Sequence, residues 1–221
     1  MSRITETQGY SLIELMVGML LSLIFLAALY GFYKVQARNL KVQENRQETM
    51  EHARGVLDLM AREIRNAGYN PTRATAGTNC AGTPTSGTPG VVSASSTSFK
   101  FTYDYRSSAS ATTPDGNCNN TDEEITYDYQ SPGPQNCASG TGDIVRTANG
   151  TSEPITDCNV TAFSYTYYAR DSTTAMSPIV AANIQRLKVS ITFQSKNPDA
   201  EFGGQLTSIV FSNIDLRNVG L

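Results

Sequence analysis

The chain has 221 residues, with 17 Lys and Arg against 20 Asp and Glu, a formal net charge of −3, one His and four Cys. That length suits one ordinary domain plus an appendage. The acidic balance and scattered cations exclude a basic nucleic-acid binder. A single segment apolar enough to cross a bilayer excludes a multi-span membrane protein. The abundance of Ser, Thr, Gly and Tyr reads as a β-rich extracytoplasmic domain.

The first element is an apolar run from Tyr10 to Tyr33, YSLIELMVGMLLSLIFLAALYGFY, broken by one charge, Glu14. As a helix it is about 36 Å long, enough for a hydrocarbon core of about 30 Å. The leader before it, MSRITETQG, carries both Arg3 and Glu6. No small-residue cleavage pattern follows the apolar run, as an ordinary secretory signal requires. The small residue, Gly9, stands in front instead, so a cut after it would remove residues 1–9 and leave the helix attached. A carboxylate inside a membrane helix costs about 2.5–3.5 kcal/mol at the centre and less near the interface. Glu14 therefore points to a cationic partner, and the amine freed at Tyr10 of a neighbouring subunit would supply one.

Gly9-Tyr10-Ser11-Leu12-Ile13-Glu14-Leu15 resembles the class III prepilin signal of the type IV pilin and type II secretion pseudopilin superfamily. The resemblance implies cleavage after Gly9 by a membrane prepilin peptidase and N-methylation of Tyr10, with Glu14 serving assembly. DLMAREIRNAGYNP (58–71) and FSNIDLRN (211–218) resemble the PilW-type minor pilins, and GspJ-type pseudopilins share much of this pattern. The implied fold is α+β and pilin-like: a long N-terminal α-helix packed on an antiparallel β-sheet head. The implied partners are other minor and major pilins, the peptidase and an assembly platform in the inner membrane. Such a subunit stands in the inner membrane, head in the periplasm, and then enters an extracellular pilus. The family implies a low-abundance subunit that helps initiate the filament. A GspJ-like pseudopilin is the alternative, ahead of a simple membrane-anchored β domain.

Residues 34–67 continue the helix into the head. Over 34–52 the seam is thin, with Val35, Val42 and Thr49 at heptad spacing. Over 53–67, Ala53, Val56, Leu57, Met60, Ile64 and Ala67 form a core-facing stripe at helical spacing. Gly68 predicts a left-handed stop, and Pro71 prevents continuation. Residues 68–97, rich in Gly, Thr and Ser, predict a loop, and 98–221 a β-rich head. Strands are predicted at 98–105, 123–130, 142–148, 160–169, 184–195 and 206–216, the first two with alternating aromatics that suit a sheet face over the helix.

Four cysteines in an exported chain predict two disulfides, and three pairings are open. A meander of the predicted strands puts Cys118 and Cys158 at one end and Cys80 and Cys137 at the other, predicting Cys80–Cys137 and Cys118–Cys158. Loop 115–124 offers Asp115, Asn117, Asn119 and Glu123 at alternate positions, but Asn120 stands where a calcium loop needs Gly, and Thr126 where it needs a carboxylate. A solvated loop is the expectation. With His52 the sole histidine and no CxxC, neither a metal nor another cofactor is predicted. No GxSxG, HExxH or phosphate-binding loop suggests an enzyme.

Overall fold

The computed structural model describes residues 9–71, 90–105, 113–114, 118, 121–195 and 204–219. Among the described residues one α-helix, α1, runs over Leu12–Ile64. The chain divides into two compact units, Met1–Glu44 and Asn45–Leu221. The described residues of the first are 9–11 and α1 as far as Glu44, Leu-rich and free of proline, with its large apolar side chains in the open.

The second unit has its own core. The carboxyl-terminal turns of α1 bury Ala53, Val56, Leu57, Met60 and Ile64, and Ala67 just beyond them, all at 7% exposure or less. These are the six positions of the predicted stripe. Gly68 ends the helix at a φ of +76°. A Cβ there would stand 2.7 Å from the Asn218 carbonyl oxygen, so both conformation and space demand glycine.

The head is two antiparallel sheets. The first has the order β1-β2-β3-β4-β5, from Val91–Ala94, Ser98–Thr102, Glu124–Gln130, Asp143–Ala148 and Thr151–Pro154. The second is β6-β7-β8, from Val160–Tyr168, Arg186–Gln194 and Thr207–Asp215. A bridge between Gly142 and Val160 ties the two together. Alternation sends Phe99, Phe101, Ile125 and Tyr127 of the first sheet, and Leu187, Val189, Ile191 and Phe193 of the second, into one core with the helix.

Six of these strands match the predicted segments, and two, β1 and β5, were not anticipated. β1 lies in the segment predicted as loop. β5, TSEP, is wholly exposed and carries no hydrophobic alternation. Its signal lay in the turn: Asn149 and Gly150 take positive φ values of 53° and 70°, as a two-residue hairpin turn with the right-handed strand twist requires.

That extra strand corrects the disulfide pairing. The bond is Cys137–Cys158, with Cα atoms 5.1 Å apart, rather than Cys80–Cys137 and Cys118–Cys158. Four alternating strands would have left residue 158 at the end opposite residue 137. With β5 turning the chain back once more, both arrive at the same end, beside the Gly142–Val160 bridge. The fully buried Asp143 sets this corner. Its carboxylate accepts the Cys158 N–H at 2.7 Å and the Thr156 hydroxyl at 3.3 Å. Cys118 is also disulfide-bonded. Cys80 and calcium-loop positions 115, 117 and 119 lie outside the described residues. Glu123, expected in a solvated loop, is instead fully buried, its carboxylate accepting the Tyr105 N–H at 2.9 Å.

Candidate processing and assembly segment

Gly9 and Tyr10 precede the helix in open chain, and Tyr10 is 83% exposed. Ser11 stands before the first helical residue, where short polar side chains are favoured. Its carbonyl accepts the N–H groups of Glu14 and Leu15 at 3.0 and 3.2 Å, closing the first turn. Glu14 is exposed within that turn, where the helix dipole favours a negative charge. The candidate processing residues and the carboxylate thus lie within one short stretch, Gly9 and Tyr10 outside the helix and Glu14 inside it.

Behind them the side chains are apolar all round. The most apolar 18-residue window of α1 has a mean hydropathy of 2.5, and none of it is buried. Phe25 is 66% exposed and Leu23 67%. A water-facing surface of this extent is far beyond what soluble monomers tolerate, so the segment requires lipid or other helices around it. The Ser22 hydroxyl donates to the Gly18 carbonyl at 2.6 Å. This back-bond loosens a helix locally, which places a soft point at Gly18, one of two glycines in the span.

The model of the prokaryotic N-terminal methylation motif matches residues 6–30. This segment carries a prepilin-type N-terminal methylation motif. The match supports a type IV pilin-like or pseudopilin subunit, a structural role, with processing by prepilin peptidase and assembly with other pilins. Motif and apolar helix are together consistent with anchorage in the inner membrane. No curated protein and no solved structure matches the chain.

Proposed function

We propose that the chain is a minor pilin of the PilW type, cut after Gly9, methylated at Tyr10, and built into a type IV pilus as one of the subunits that initiate it. The observation carrying this reading is the methylation motif that runs into the first turns of α1, where the apolar surface is bare on every side. In the membrane, lipid covers that surface; in a filament, neighbouring helices replace lipid. Glu14 then pairs with the methylated amine of a neighbouring Tyr10, which offsets the cost of withdrawing both charges from water. The β-rich head stays outside the helical core and presents the disulfide-braced corner at residues 137 and 158.

The first test is the intact mass of the chain from membranes with and without active prepilin peptidase. Loss of residues 1–9 plus one methyl group, dependent on that enzyme, is the expected result. An uncut chain, or one cut after the apolar run, refutes the reading. Deleting the gene then separates a pilus role, which abolishes surface fibres, from a GspJ-like role, which abolishes protein secretion.

A further inference from the structure

Among the described residues the two sheets have four edges, and three of them are protected against further pairing. β1 is four residues long, with a register shift between Val91 and Ser93. β5 is equally short and holds Glu153 and Pro154. β6 is covered by the β1–β2 turn, where the Tyr165 N–H donates to the Ser96 carbonyl at 2.8 Å. Short strands, bulges, proline and charge are the usual means of blunting an edge. β8 lacks them. It is nine residues long, without proline, lysine or arginine, and its one charge, Asp215, is its last residue. Bonds from the Ser195 N–H to the Leu206 carbonyl and from the Leu216 N–H to the Gln185 carbonyl, both at 2.8 Å, fix the phase of its ladder with β7. Bonded and non-bonded pairs alternate in an antiparallel ladder, so the even-numbered residues of β8 bond to β7. Thr207, Ile209, Phe211, Asn213 and Asp215 therefore turn their N–H and C=O groups to the free edge. Two of these carry apolar side chains in the open, Ile209 at 69% and Phe211 at 62% exposure.

We propose that β8 pairs antiparallel with β8 of a second copy of this chain, joining the second sheets of two heads into one. The strand's own pattern names this occupant. Thr207-Ser208-Ile209-Val210-Phe211-Ser212-Asn213 is two polar residues, three apolar and two polar, and so has the same pattern in both directions about Val210. Two copies related by a two-fold axis through Val210 set Ile209 opposite the partner's Phe211, twice over, and Thr207 opposite the partner's Asn213. An aromatic residue against a β-branched one is a favourable cross-strand pair. Centring on Phe211 instead leaves Ile209 facing Asn213, and centring on Ile209 leaves Phe211 facing Thr207. Only the Val210 register seats both apolar side chains on apolar neighbours. Asp215 then faces the uncharged Gln205, so no like charges meet across the seam. Such an interface is the same patch on both copies and closes on itself, giving a pair rather than a fibre.

The test uses the full chain in detergent, followed over a range of concentrations by sedimentation and by amide exchange. A concentration-dependent dimer is expected, with exchange at Ile209, Phe211 and Asn213 slowing as it forms. Phe211→Glu leaves Lys188 a counter-charge in place of the ring it covers at 4.7 Å. That variant and Ile209→Lys should each weaken the dimer by about fivefold or more, since both apolar cross-strand pairs are lost together. The head's thermal midpoint should stay unchanged in each. An equimolar mixture of the two variants should dimerise more tightly than either alone, because this register sets the new carboxylate opposite the new ammonium. A monomer at every concentration, a dimer that both variants leave intact, as pairing through α1 alone would give, or a mixture no tighter than its components overturns the proposal. So do edge amides protected at every concentration, as by another segment of this chain, and pairing only with a different pilin. None of these outcomes depends on cleavage at Gly9, so this proposal and the pilin reading fail separately.

Discussion

Glu63, on the last turn of α1, accepts three hydrogen bonds from the first sheet. The Tyr127 hydroxyl donates to it at 2.6 Å, and the Arg146 guanidinium donates twice, at 2.8 and 2.9 Å. Both charges are mostly shielded, with side chains 21% and 27% exposed, so this pair holds better than a solvated surface bridge. The hydrogen bond that Arg146 donates to Glu63 pushes the Arg146 pKa up, and burial followed by the neighbouring Glu63 pushes Tyr127 up. Glu63→Gln should cost about 2 kcal/mol in denaturant unfolding, because Arg146 loses its counter-charge. Tyr127→Phe should cost about 1 kcal/mol, since only one donor is lost. Tyr103 reports the same region by pH. Burial first, then the charge of Glu63, pushes its pKa up to about 12. The folded state therefore binds this proton more tightly than the unfolded chain. Its stabilising effect is complete below about pH 10 and is lost as the pH rises toward 12. A fall in denaturant midpoint between pH 10 and 12, diminished in Tyr103→Phe, is the expected result.

At the scale of elements, α1 contains two different surfaces along one uninterrupted helix. Its carboxyl-terminal stripe is narrow and buried, and all six positions read from 3.6-residue spacing lie on it, together with Ala61, which was not among them. Met60, fully buried among both sheets' side chains, is the sharpest probe. Met60→Ala should destabilise the head by about 2–5 kcal/mol in chemical unfolding. The aromatic strands were equally legible, because alternation over five or more residues leaves no other reading. β5 was not, since an exposed strand buries nothing and so leaves no period. Only the Asn149-Gly150 turn marked it. The consequence travelled: one missed hairpin reversed the end of the sheet at which Cys158 emerges, and with it the disulfide. Breaking the Cys137–Cys158 bond, by replacing both residues with Ser, should cost about 2–4 kcal/mol in urea unfolding. It should also free the Asp143 corner, seen as faster amide exchange at Cys158 in the variant.

On the scale of the whole molecule, one unit is a helix without cover and the other a head with a core of its own. That contrast gives the Glu14→Leu variant its meaning. Losing a charge from an apolar helix should leave membrane insertion intact, as fractionation would show, and leave the head's unfolding midpoint unchanged. Incorporation into filaments should fall, measured as the share of the chain in sheared surface fibres. Normal piliation in that variant would sink the pairing of Glu14 with a neighbouring amine.

Local order in the chain was enough to determine the helix, its apolar and amphipathic stretches, its stop at Gly68, six of the eight strands among the described residues and the prepilin-type motif beginning at Gly9, which lies within the matched residues 6–30. Each is written in neighbouring residues, as a period, a turn residue or a short motif. Tertiary structure alone decided the split into two sheets, the pairing of Cys137 with Cys158, and the meeting of Glu63 with Tyr127 and Arg146 across 64 and 83 positions of sequence. It also gathered Glu48, His52, Asp157 and Asn159 around one pocket. The physical reason is the same in every case. Contacts between residues far apart in the chain depend on how many times the backbone reverses between them, and a single exposed hairpin changes that count.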